Sequence, residues 1–296
     1  MRKIAIVGTI SNAERKVESN LHRLTQAFSN FEIAYIFLVE SDSTDDTISV
    51  LQKISSNTSN FNYVSLGTLK NQLPERISRI RFCRNKYVEE LRRIAPGLGL
   101  DYVAVADLDG MNSRISKIGV ESSFVRSDWS AVLANQLGGY YDLLALRHKK
   151  WCPMDVMHEL KSEQSKIDKS ALPLYSIFKR LERRFEFDTA RRKILYSRMV
   201  RIPRTFDWIQ VDSGFGGLGI YRTEVFLKFD YSLQKGDLSN ESEHIALSKR
   251  ITQSGGTIFV NPRMINNFFN TYNVNRFFII RQIRELYWNT RKKIFD

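Results

Sequence analysis

Four short apolar runs, at residues 3–8, 33–40, 61–66 and 102–106, are each divided from the next by a segment whose apolar positions recur at helical spacing. Val17, Leu21 and Leu24 mark the first such segment. The second spans residues 45–54, with Ser43 or Thr44 placed to cap it and Asp45 and Asp46 in its first turn. The third, residues 75–94, is long and basic, with Ile77, Ile80, Cys83, Tyr87, Val88 and Leu91 on or near one face. Strands alternating with helices in this way need right-handed crossovers, so the chain is expected to build an α/β fold around a largely parallel sheet.

The fourth run ends in A-D-L-D-G, where an extended chain puts Asp107 and Asp109 on one side and Leu108 on the other. Two acids on one side can grip one hard cation, and ligands of open α/β sheets bind beyond the carboxyl ends of the strands. A solvated turn explains the same five residues if they are taken alone. Past this point the pattern is expected to continue with a helix at 127–137 and a buried strand at 141–146. Residues 161–204 hold thirteen Lys/Arg against five Asp/Glu, a net of +8, and are expected to form a basic helical insertion. V-D-S-G-F-G-G-L-G-I-Y-R, residues 211–222, is glycine-dense enough to suggest backbone held close to a ligand or to another strand. A helix at 241–251, a short strand at 257–260 and a basic amphipathic tail at 275–293 complete the expectation.

With 296 residues, 43% of them hydrophobic, the chain is long enough to bury a full core. Its 45 Lys+Arg against 32 Asp+Glu give +13, which favours an anionic partner: a nucleic acid, an acidic membrane surface or a phosphorylated small molecule. Cys83 and Cys152 are too few for a disulfide scaffold. The apolar run at 4–7 is far too short for a signal peptide, and no run approaches the roughly 20 residues of a membrane span, so a cytoplasmic setting is expected, with peripheral contact at the inner membrane. His148, Cys152 and His158 match no closed four-ligand zinc set and are read as structural.

V-E-S-D-S-T-D-D-T, residues 39–47, resembles the second-strand motif of family 2 and related GT-A-fold glycosyltransferases. Three further segments follow in that family's order. F-C-R-N, residues 82–85, is similar to its A-R-N helix; A-D-L-D-G is similar to its D-x-D metal motif; and S-E-H-I-A-L-S-K-R-I, residues 242–251, is similar to its x-E-D helix, with Glu243 on the Glu and His244 in place of the Asp. By its E-H pair and N-P-R-like strand, residues 260–263, the chain resembles bacterial capsule and lipopolysaccharide enzymes akin to fungal capsule mannosyltransferases. The resemblance runs from Ile4 to about Asn266. It implies a GT-A fold, Rossmann-like with a mostly parallel sheet flanked by helices, over residues 1–274, with a nucleotide-binding half at 1–110 and an acceptor half at 111–274.

That resemblance further implies Mn²⁺ or Mg²⁺ on Asp107 and Asp109, a UDP- or GDP-sugar donor, and a glycan or lipid-linked acceptor. Thr9, Ser11, Glu40, Asp42, Arg79, Arg84, Asn85 and Asp107 fall on the donor side, with Arg76 a further candidate, because guanidinium groups match phosphate oxygens in a bidentate fork. Asp212, Phe215, Gly216 and Gly217 fall on the acceptor side. Glu243, Glu241 and His244 are the candidates for removing the acceptor proton, and His244 is also a candidate metal ligand because Asn266 stands nearest the family's usual metal histidine. Two other readings remain open. One is a nucleic-acid or membrane-surface binder using the basic insertion and tail, although no nucleic-acid motif is visible and no nucleic acid is expected. The other is a sugar nucleotidyltransferase, although G-T-I-S-N-A lacks a Gly/Arg-rich phosphate loop.

Overall fold

The computed structural model describes residues 1–170, 177–237 and 241–268, with backbone alone at 169–170 and 177–182. The tail expected at 275–293 lies outside the described residues. Strands β1 (Lys3–Ile10), β2 (Glu32–Glu40), β3 (Phe61–Ser65) and β4 (Tyr102–Ala106) alternate with helices α1 (Val17–Ala27), α2 (Thr47–Asn57) and α3 (Arg76–Leu98). All four strands run parallel, in the order β3-β2-β1-β4. Residues 41–46 precede α2 rather than opening it: Asp46 is the N-cap position, and Asp45 accepts a hydrogen bond from the Thr47 amide at 3.1 Å.

Beyond β4 come α4 (Lys117–Glu121), β5 (Ala131–Gln136), α5 (Val156–Ser170), α6 (Ile177–Ile194), β6 (Ile209–Val211), β7 (Leu218–Arg222), α7 (Thr223–Phe226), α8 (Glu243–Gln253) and β8 (Ile258–Asn267). The sheet extends to eight strands in the order β3-β2-β1-β4-β7-β5-β8-β6, and β7 runs antiparallel to both of its neighbours. The sheet is therefore mixed: its first half is parallel as expected, and the second is not.

Alternation along the strands divides the core between the two faces. Ala5, Val7, Val39, Val105 and Leu133 meet Cys83, Tyr87 and Leu91 of α3 and Leu247 and Ile251 of α8. Ile4, Ile6, Leu38, Ala104 and Ile220 meet Leu21 and Leu24 of α1, Leu51 of α2 and Val120 of α4 on the other side. Helices thus cover both faces, the three-layer solution that a two-sided apolar sheet requires.

Two elements differ from expectation. Residues 131–136, expected within a helix, form β5, and all six are buried. A strand apolar on both faces carries no alternation, and over so short a run its pattern cannot be told from a buried helix. Residues 141–146, expected as a strand, form no ladder. They make a compact turn in which Leu146 N–H donates to the Asp142 carbonyl at 3.2 Å and Arg147 bridges to Ser213. The expected short strand at 257–260 continues to Asn267, past Pro262, where the pairing with β5 shifts register. Among the described residues no helix is long and apolar enough to cross a membrane.

Candidate active site

Since β1, β2 and β4 are adjacent and parallel, their carboxyl ends open on one edge of the sheet. There Thr9, Ile10, Ser11, Ser41, Asp42, Arg76, Arg79, Ile80 and Cys83 enclose a hollow of about 230 Å³. Thr9 and Ser11, expected on the donor side, line this hollow. Glu40, expected against a nucleobase, is fully buried, and its carboxylate accepts from the Ser43 amide at 2.9 Å and from the Ser65 hydroxyl. It fastens the β2 tip to β3. Asp42 sits at φ +61° and accepts from the Lys70 amide at 2.8 Å, with Arg79 Nε at 3.4 Å. Arg79 in turn donates to the Leu73 and Pro74 carbonyls at 2.8 and 2.6 Å. Arg76 is exposed at the rim and makes no ion pair with a described residue.

Arg84 and Asn85 are not among the residues that line this hollow. Asn85 ties α3 to the loop before α8, accepting from the Tyr231 amide at 2.8 Å and donating to Ser232 Oγ at 3.1 Å. Arg84 is 4% exposed and lies between the rings of Phe215 and Tyr231. Its Nε donates to Glu243 Oε1 at 2.8 Å, its Nη1 to Tyr87 at 3.1 Å and its Nη2 to Asp107 at 3.4 Å. Burial works against its charge, but the Tyr87, Glu243, Tyr231 and Asp107 oxygens outweigh that and hold its pKa well above the ordinary value.

Asp107 and Asp109 follow the end of β4. Burial pushes Asp107 up to about 7 against the opposing pull of Arg84, and the charges of Asp109, Asp142 and Glu243 push it further in the same direction. Asp109 is exposed and accepts from the Met111 amide at 3.1 Å.

The glycine-rich turn before β7 connects these groups. Asp107 N–H donates to the Gly217 carbonyl at 2.9 Å, which also receives Asn112 Nδ2 at 2.9 Å. Gly216 offers its carbonyl to Gln136 and Asn266 at 2.9 and 2.8 Å and donates its N–H to Asp142 at 2.9 Å. Both glycines have positive φ, +71° and +85°. A Cβ on Gly216 would meet the Ala134 carbonyl at 2.8 Å, and one on Gly217 would meet Met111 Cγ at 2.6 Å. The glycines serve packing as well as turn geometry. Phe215 is buried and Asp212 exposed, its N–H donating to the Arg147 carbonyl at 2.8 Å. Asn266 belongs to the amide network that holds the turn, receiving Gln136 and donating to Asn112 and to the Gly216 carbonyl.

Asp142 was not anticipated. It lies in the segment expected as a strand, and no motif marks it. The available signal was a single acid inside Y-Y-D-L-L-A-L, because a carboxylate among apolar residues needs a partner or a purpose. Burial raises its pKa against the Gly216 and Ala145 amides, and Glu243 raises it further.

Glu243 and His244 open α8 and are both buried, at 7% and 3% exposure. The His244 ring stacks on Phe215 at 3.8 Å between centroids and meets Tyr231 edge-on. Neither of its nitrogens has a hydrogen-bond partner among the described residues, Nε2 lying 3.5 Å from Glu243 Oε1. Burial first, and then the charge of Arg84, holds its pKa well below 6.5, so the ring is neutral. Glu241 pairs with Arg147 at 3.3 Å.

Among the described residues no three His, Cys, Asp or Glu side chains form a metal-binding group. A divalent cation of the Mg²⁺ or Mn²⁺ kind does not need one, since such ions are held by one or two carboxylates together with substrate phosphates. The donor set fits: Asp107 is pushed toward neutrality by burial first and then by the charges of Asp109, Asp142 and Glu243, a charge burden that a cation there would relieve, and the exposed Asp109 lies on the same strand end.

No protein-family model matches this sequence. No curated protein matches it either. Several solved structures do. Mannosyltransferase PcManGT from Pyrobaculum calidifontis, solved with GDP-Man and Mn²⁺, is similar at 12% identity and TM-score 0.46, over 100% of this chain and 65% of that one. S. aureus TarS 1–349 is similar at 13% identity and TM-score 0.41, over 87% of this chain and 57% of that one. Glucosyl-3-phosphoglycerate synthase from Mycobacterium tuberculosis, solved with Mn²⁺, UDP and phosphoglyceric acid, is similar at 13% identity and TM-score 0.36, over 90% of this chain and 67% of that one. The chain spans less than two thirds of the length of the first two.

Proposed function

We propose that this chain is a metal-dependent glycosyltransferase of the GT-A type, moving a sugar from a nucleotide-sugar to a glycan or lipid-linked acceptor. One observation carries the reading. A hollow lined by hydroxyls and arginines at the β1–β2 tips shares a sheet edge with the two carboxylates that follow β4. Adjacent parallel strands thus present a nucleoside-sized recess beside an acidic cation site, at the edge where α/β sheets bind ligands.

In this reading Thr9, Ser11 and Ser41 receive the nucleoside and Arg76 reaches the diphosphate. Asp107 and Asp109 hold Mn²⁺ or Mg²⁺. When bound, the ion supplies positive charge to the diphosphate oxygens on which negative charge gathers as the sugar leaves. Arg84 and Glu243 form a buried, charge-matched floor that fixes Asp107 and Phe215, while Asp212 and the 215–217 turn border the acceptor side. The net charge of +13 would draw the protein toward an anionic surface, and we place its work at the inner face of the cytoplasmic membrane, in surface-polysaccharide synthesis.

The test is a thermal-shift panel of nucleoside diphosphates and UDP- and GDP-sugars with and without Mn²⁺. A ligand at about a hundred times its Kd stabilises by roughly 2.7 kcal/mol, a clear rise in melting temperature. One base should stand out, and it should require the metal. A panel without any selective, metal-dependent rise ends the proposal.

A further inference from the structure

Resting on the glycosyltransferase reading above, we propose that Asp142 is the catalytic base that takes the proton of the acceptor hydroxyl. The three groups that the sequence nominates for this task are otherwise committed. Glu243 Oε1 receives Arg84 Nε at 2.8 Å, and that pair is buried on both sides. His244 is sealed between Phe215 and Tyr231. Glu241 is ion-paired with Arg147.

Asp142, by contrast, has backbone amides as its partners and no ion pair among the described residues. One of its oxygens, Oδ2, is fixed by the Gly216 N–H at 2.9 Å, whereas Oδ1 has only a long contact, 3.4 Å, with the Ala145 N–H. A carboxylate held by one oxygen and open at the other is oriented and still able to accept. Its location follows from the same turn: Asp142 binds Gly216, and the next residue, Gly217, binds the backbone of Asp107. The turn therefore links the Asp142 carboxylate to the backbone at the end of β4, where the two acids follow. The residue is partly exposed.

In the step, the acceptor oxygen forms a bond to the anomeric carbon. The bond from that carbon to the diphosphate oxygen breaks, its electron pair leaving with the nucleoside diphosphate. The hydroxyl proton passes to Asp142 Oδ1 and is later lost to solvent. Water as acceptor follows the same course and gives donor hydrolysis.

Asp142→Asn keeps the shape and an acceptor for the Gly216 N–H, and Asp142→Ser serves if the amide variant does not fold. Each variant is assayed for melting-temperature shift with Mn²⁺ and the donor, and for nucleoside diphosphate release with and without azide, an anionic nucleophile that has no proton to lose. The expected result is donor binding within about twofold of wild type and release reduced by roughly 10²–10⁴-fold, the usual contribution of a general base. Azide should restore release with formation of the glycosyl azide. Wild-type-like release without azide, or a loss that azide does not relieve, overturns the assignment, as does a wild-type protein that binds donor but never releases nucleoside diphosphate. A wild-type protein that binds no nucleotide-sugar overturns the functional reading itself, and the thermal shift tells that failure from the others.

Discussion

Removing Arg84 should cost far more than its small surface suggests. Arg84→Met leaves Glu243, 7% exposed, as an uncompensated buried carboxylate beside Asp107 and Asp142. Stranding one partner of a buried pair costs about 3–5 kcal/mol. Glu243→Gln is milder, because Arg84 keeps Tyr87, Asp107 and two aromatic faces, so the loss is that of one charged hydrogen bond, about 1.5–3 kcal/mol. In the double variant nothing charged is stranded at Glu243, and the combined loss should fall short of the sum by about 2 kcal/mol. Urea unfolding of the four proteins, compared by midpoint at constant slope, measures this. Additivity within about 0.5 kcal/mol would refute the pairing, since that is how uncoupled sites behave.

The neutral burial of His244 predicts a pH dependence. Its folded pKa is depressed below an unfolded value of about 6.5, so the unfolded chain binds more protons between the two. Stability is whole above pH 6.5 and declines as pH falls below it, by up to about 1.4 kcal/mol per unit. His244→Phe should remove that part of the slope, and urea midpoints at pH 7.5, 6 and 5 that slope equally in both proteins contradict it. Gly216→Ala, which drives a Cβ onto the Ala134 carbonyl, should destabilise by about 1–3 kcal/mol more than Gly67→Ala, where positive φ is the sole penalty; equal unfolding midpoints would contradict this. Arg76→Ala should weaken nucleoside diphosphate binding about tenfold or more in calorimetry and leave the nucleoside alone unaffected. An equal loss for both ligands would move Arg76 off the phosphates.

Legibility tracked how locally each feature is determined. The four parallel strands and the acid tip of β4 could be read because each is a short apolar run closed by polar punctuation. In the second half, β5 is buried on both faces and has no period to read, and the 141–147 turn takes its shape from Asp142 and from the bridge to Ser213, a long-range contact. At the site, motif positions carry no information about which partners would occupy the side chains. Glu40 is taken up by Ser43 and Ser65, Asn85 by the Tyr231 loop, and Arg84 by an acid 159 residues away in sequence. Those partners come from separate elements, and the pairings exist only once the sheet edge is assembled. Asp142 is unmarked in the sequence for the same reason: its partner Gly216 is brought to it by the fold.

The central claim is that Asp109 and Asp107 hold a dication that makes the nucleoside diphosphate a leaving group. Nucleoside diphosphate release from the donor that the thermal-shift panel selects should be measured for wild type and Asp109→Ala, with added Mn²⁺ and after exhaustive chelation. The account predicts release by wild type with Mn²⁺ alone, lost on chelation and absent from Asp109→Ala, which should still fold with an unchanged urea midpoint because Asp109 is exposed. Release that survives chelation, or that persists in Asp109→Ala, would contradict it.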